Sequence, residues 1–295
     1  MNFPCLLASV LSAHLICVSD LRAEDETPSI PSTDIVVIPV SSPGSAMKVD
    51  AGNALNALKH VGYDNQPHFS ANGELLYFTR MMDEQTDIFA YNFADKKLVN
   101  ITHSDDVSEY SPTVYDDRTL SVIGVNSEGQ QHLRLVNIDD ASQQVLNPAI
   151  EPVGYHAWLN PELAATFVLG EVMTLQLFDL KAEGKADPLV ENIGRCLQRL
   201  EENKVSFTRV IDGQHHIFLI NQHGEIQATG IVLPEGVQDY VWLDSDGVAV
   251  GKGSQLWYIS STNKKQIADL NDLGINNISR LALDSNKKKL AIVHE

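Results

Sequence analysis

Cysteine is scarce in this 295-residue chain: it occurs three times, as Cys5, Cys17 and Cys196. The first two lie in an N-terminal apolar stretch that reads as a removable segment, which leaves Cys196 alone. One thiol makes no internal disulfide, so the fold has to be held by its core. Basic residues are also few, 21 Lys and Arg against 39 Asp and Glu, for a net charge of −18. That balance excludes non-specific nucleic-acid binding, which needs cations to displace counterions, and disfavours an anionic membrane surface. It suits a soluble protein kept apart by self-repulsion, or one that steers in a cationic partner. The usual catalytic signatures are missing too. There is no G-x-S-x-G elbow, no H-E-x-x-H, no C-x-x-C and no phosphate loop, so the sequence assigns no catalytic residue, metal or cofactor.

Long apolar runs are absent apart from Phe3 to Val18. At about 15 residues this run is short for a transmembrane span and right for the core of a signal peptide. Asp20, Arg22 and Ala23 follow, then the acidic Glu24, Asp25 and Glu26. The expectation is a signal peptide over residues 1–23, although its start lacks Lys and Arg and Leu21 fits the cleavage pattern poorly. Cys17 follows Leu15 and Ile16, without the small residue that a lipid-anchored form wants before its cysteine. A soluble periplasmic product is expected, with no membrane insertion. Residues 24–33, EDETPSIPST, predict a flexible lead-in.

What the chain does have is a repeat. Six segments place an apolar residue at a strand end ahead of turn formers: Phe69, Val114, Trp158, Leu200, Trp242 and Leu283. Successive anchors lie 45, 44, 42, 42 and 41 residues apart, the period of a four-stranded propeller blade. A second column supports the register. Asp34, Asp87, His132, Thr174, His216 and Gln255 open strand-like runs such as DIVVIPV, DIFAYNF and HLRLVNI. Five residues on from each stand Pro39, Asn92, Asn137, Asp179, Asn221 and Ser260. Asn, Asp and Ser there can bond their own backbone and start a turn.

Five blades run complete from His68 to about Asn276, and the C-terminus adds only two strands, near Leu281 and Leu290. The N-terminus holds the missing pair, Asp34 to Val40 and Ala46 to Ala51. The expected architecture is all-β: a six-bladed β-propeller over residues 34–295, its last blade closed by the N-terminal strand so that no sheet edge stays open. Asn53 to His60, NALNALKH, predicts a short helix leading into the first blade.

The first blade carries a family resemblance. Pro67, Phe69-Ser70-Ala71-Asn72-Gly73, Asp87-Ile88-Phe89, Ile101-Thr102 and Pro112 are similar to the TolB-type propeller repeat. The match is strong over Gln66 to Asp117 and fades to anchor and turn positions afterwards. The resemblance implies a periplasmic six-bladed ring that binds proteins at its opening, and it brings no set of catalytic residues. Members with the full TolB architecture carry a separate α/β domain before the ring. About 30 residues take the chain from the expected cleavage site through the closing strand region, so a ring without that domain is expected.

Polar residues ahead of the innermost strands are the candidate site. Asp64, Glu109, Tyr110, Tyr155, His156, Arg195, Asp239, Tyr240 and Arg280 are expected to line one opening. Four of the eight tyrosines fall in these connections, counting Tyr63, and Tyr and Arg favour surfaces that bury area while still bonding polar groups. The same tyrosines could instead pad the blade junctions. Gly251-Lys252-Gly253 reads as a hairpin turn, and the Asp105-Asp106, Asp116-Asp117 and Asp139-Asp140 pairs as solvated turns. Two functions compete. One is a monomeric binding or scaffold module for a protein partner, cationic or associated with the cell envelope. The other is a lactonase-like hydrolase or lyase at the channel mouth, with Asp64, Glu109, His156 and Asp239 as its polar groups. Fold alone cannot choose between them.

Overall fold

The computed structural model describes residues 32–42, 44–55, 58 and 60–295. The expected signal peptide and all but the end of the lead-in lie outside them. Among the described residues no helix is long and apolar enough to cross a membrane.

Six antiparallel four-stranded sheets form the blades. The first runs outward from Asp64–Phe69 through Leu75–Met82 and Gln85–Asn92 to Leu98–Asn100. The inner strands of the next four are Val107–Asp116, Val153–Asn160, Ile193–Glu201 and Val241–Trp242. The sixth sheet joins the chain ends. Arg280–Leu283 is innermost, Lys289–His294 second, Asp34–Ser41 third and Lys48–Val49 outermost. The closing strand pairs from Asp34↔His294 to Pro39↔Lys289. The chain is therefore a six-bladed β-propeller closed by its N-terminal strand.

The core is cyclic. Each blade junction has its own apolar cluster, because alternate side chains of a strand point to opposite faces. Tyr77, Ile88 and Ala90 meet Leu120, Val122 and Val136 between the first two blades. The closing strand serves two junctions at once. Ile35 and Val37 pack with Phe69, Leu76 and Phe78 of the first blade. Val36 and Ile38 pack with Leu243, Ala249 and Leu256 of the fifth. A strand buried on both faces in this way reads as a continuous apolar run, as Ile35 to Ile38 does.

The turn column acts as its chemistry predicts. The backbone amides of Ala94, Asp139, Lys181 and His223 donate to the side-chain oxygens of Asn92, Asn137, Asp179 and Asn221, all at 2.8–2.9 Å. In the fifth blade Asn263 N donates to Ser260 Oγ at 2.9 Å.

Two local expectations change. The stretch after Asp50 is a 3₁₀ turn at Ala51–Asn53, and Leu55 bridges Val37 as a strand would, so residues 53–55 do not start a helix. Residues 56, 57 and 59 lie outside the described residues. Thr33, the last residue of the expected lead-in, is buried. Its amide donates to Gly62 O and its carbonyl accepts from Asp64 N, each at 2.9 Å. It belongs to the ring because a bridge to Tyr63 satisfies its backbone there.

Candidate functional site

Polar residues that the sequence places ahead of the inner strands mostly lie on them. Asp64 and Arg280 are first residues of their strands, and Glu109, Tyr110, Tyr155, His156 and Arg195 lie inside theirs. Only Asp239 and Tyr240 precede one, Val241–Trp242. The inner strands surround a narrow central cavity of about 100 Å³ that has Gln66, Thr113, His156, Gln198, Asp239 and Arg280 on its walls, one from each blade or the connection before it.

At one end of this channel a charged cluster is built from four successive blades, the third to the sixth, counting the connection before the fifth. Arg195 donates from Nε and Nη2 to Asp239 Oδ2, at 3.0 and 2.6 Å. Arg280 Nη1 lies 3.4 Å from Asp239 Oδ1. Arg280 Nη2 donates to the Tyr155 hydroxyl at 2.8 Å, and its guanidinium sits 5.0 Å from the centre of the Tyr155 ring. Asp239 is buried, so its carboxylate needs the two guanidinium groups that flank it. Tyr63, half-buried, completes the group: burial raises its phenol to about 12, Tyr155 and Tyr110 reinforce the rise, and Arg280 and Arg195 oppose it. Tyr155, Arg195, Asp239 and Arg280 are thus brought together, with Tyr63 added, whereas Tyr110 is half-buried against the apolar cluster between the second and third blades and acts on the group only through Tyr63.

The other four expected residues are placed differently. Tyr240 is 1% exposed in the junction of the fourth and fifth blades, where its hydroxyl donates to Ser206 Oγ at 2.8 Å. It is junction padding, and its side chain cannot touch a partner. Asp64 has no exposed surface and forms a two-armed pair with Arg80, at 2.8 and 2.5 Å. That pair ties the first blade to Leu58 O through Arg80 Nη2. Glu109 is equally buried, accepting from the Ser104 hydroxyl and from Gln143 Nε2. Both carboxylates are interior because their strands turn those positions into the blade stack and not toward the opening. His156 faces the channel at mid-depth. Its Nε2 meets Ser121 Oγ at 2.7 Å, and Trp158 Nε1 donates to the same oxygen at 2.8 Å. Burial, with His68 nearby, lowers the His156 pKa to about 3, so its ring is neutral at neutral pH.

A second cavity, of about 330 Å³, opens beside the charged cluster. Lys252 and Ser279 share its walls with Arg195, Asp239 and Arg280. Gly251, also on its wall, makes room for Ile278: a Cβ there would come within 2.1 Å of Ile278 Cγ2. The sequence reading takes Gly251-Lys252-Gly253 as a turn only. The missed signal is its pairing with the Asn277-to-Arg280 connection, which the blade register sets alongside. The channel's opposite end is wider, about 550 Å³, and has Phe69, Tyr115, Trp158 and Leu283 together with Asp116 and Asp117. Among the described residues no group of three His, Cys, Asp or Glu is placed to hold a metal ion.

No family model matches this chain, and no curated protein matches it. Solved structures do. A TolB-type protein of Agrobacterium tumefaciens superposes with a TM-score of 0.65 at 11% identity, covering 89% of this chain and 98% of that one. TolB from Acinetobacter baumannii gives 0.56 at 10%, covering 90% and 64%. An oligogalacturonate lyase solved with manganese gives 0.52 at 10%, covering 82% and 79%. Likeness at such identities speaks to fold, and the fold is a TolB-like six-bladed propeller.

Proposed function

We propose that this chain is a periplasmic binding module that takes a protein partner at the Tyr and Arg mouth of its channel. The observation that carries the reading is the cluster itself. Tyr155, Arg195, Asp239 and Arg280 come from four successive blades, counting the connection before the fifth, and hold one another by direct hydrogen bonds and ion pairs, so the mouth is ordered before anything binds. Pre-ordered aromatic and guanidinium groups lose little freedom on binding and are the residues that most often dominate interfaces. Periplasmic placement is supported by the N-terminal apolar run and by the TolB-like fold. The net charge of −18 favours a partner cationic over most of its surface, whose association slows as salt screens the steering.

The test uses the mature protein as bait in a cell-envelope extract, with Tyr110→Ala and Tyr155→Ala compared against the exposed outer-turn change Lys97→Ala. Melting midpoints confirm that each variant is folded. Truncating a central tyrosine at an interface often costs ~2 kcal/mol, roughly thirtyfold in affinity. The partner should be lost from both tyrosine variants and kept by Lys97→Ala. Equal recovery by all of them contradicts the site.

A further inference from the structure

We infer that the group this mouth receives is a carboxylate, held in the 330 Å³ cavity beside the channel. The inference rests on reading the mouth as a binding site and names the chemistry it selects. Two guanidinium groups share the single carboxylate of Asp239 there. Lys252 adds a third cation, whose amine donates to the uncharged carbonyl of Glu235 at 3.2 Å. The acidic groups on the cavity wall are Asp239 and Glu235, the latter exposed at the rim. Three cations therefore face two anions inside a protein of net charge −18.

Hydrogen-bonding capacity is left over as well. Arg195 directs Nε and Nη2 at one oxygen of Asp239, and its Nη1 has no hydrogen-bond partner among the described residues. Its side chain keeps 30% of its surface exposed. The Ser279 hydroxyl is buried on the same wall with no partner among the described residues. A buried donor without an acceptor is costly, and a guanidinium edge matches the two oxygens of a carboxylate. A cationic group would add to the surplus, and a neutral one would leave it unbalanced. The cavity volume lies at the small end of ligand-sized pockets, enough for a chain terminus or one acidic side chain of a partner.

The experiment follows the ¹H–¹⁵N signals of the Arg195 and Arg280 Nε–H groups in the mature protein. It is titrated with N-acetylglycine (a terminal carboxylate), N-acetyl-aspartic acid α-amide (a side-chain carboxylate), N-acetyl-asparagine amide and N-acetyl-lysine amide. The inference expects saturable shifts from one or both carboxylates, the tighter one identifying terminus or side chain. It expects at least about tenfold weaker binding of the asparagine and lysine probes, as befits loss of a charge-assisted pair. Lys252→Met, an exposed change, should weaken carboxylate binding about tenfold. Arg195→Met should abolish it. If neither carboxylate moves these signals, or the asparagine probe binds equally well, the inference is overturned. Should the partner still depend on Tyr110 and Tyr155 in that case, the mouth remains a binding site and only the carboxylate assignment fails.

Discussion

Glu109 shows how one interior residue can set the pH response of the ring. Burial raises its carboxyl to about 7, and the hydrogen bonds from Ser104 and Gln143 offset this only in part. In the unfolded chain the same group titrates near 4.5. The folded state therefore holds a proton that the unfolded state gives up, and stability falls as pH rises from about 4.5 through about 7. Glu109→Gln keeps the acceptor oxygen and removes the charge. Its melting midpoint should match the parent near pH 4 and exceed it near pH 8. A constant difference across that range would mean that Glu109 is already ionised in the fold. At this scale the sequence was only partly readable. It marked Tyr155, Arg195, Asp239 and Arg280, which meet at the opening, together with Tyr110, half-buried at a blade junction, but equally Asp64, Glu109 and Tyr240, which are interior. Neighbouring polar residues in these connections, such as Asp239 and Tyr240, look alike in sequence. Which of them face the channel depends on strand pleat and on bulges, such as the register shift between Tyr110 and Thr113.

The closing strand is the element on which the ring depends. Ile35 to Ile38 are each at most 3% exposed and fill two junctions. Ile38→Ala should cost about 2–5 kcal/mol, as for other buried Ile truncations. Val99, on an outer strand, is 51% exposed, and Val99→Ala should stay within about 0.5 kcal/mol. Denaturant unfolding of the two variants checks this, and equal losses would mean that the N-terminal strand is not integral to the core. Strands of this kind were legible because the repeat constrains them twice, through the anchor column and the turn column. Outer strands were less so: the fourth blade's, Ile226–Val232, has one buried residue, Ile231. Such strands pack on one face and carry little apolar signal. The short helix expected over residues 53–60 failed at Leu55 because pairing with Val37 outweighs a local Ala and Leu preference.

At the scale of the whole molecule, blade number and closure followed from counting alone, since a ring admits no half blade with open edges. Ligand identity did not, because it depends on a handful of side chains that repeat architecture leaves free. Export is a separate expectation. The protein recovered from the periplasm should begin at Glu24, and N-terminal sequencing that finds Met1 on cytoplasmic protein contradicts the proposed location. The two charge scales are compatible: the overall −18 steers at long range, whereas the local cationic surplus at Arg195, Lys252 and Arg280 acts only after contact. The most direct test of the binding account is a hydrogen-exchange footprint of the ring with and without the captured partner. New protection should appear on the inner-strand segments bearing Tyr63, Tyr110, Tyr155, Arg195 and Arg280. Protection confined to the opposite end, around Tyr115, Asp116 and Asp117, or to the outer strands, would show that the partner binds elsewhere.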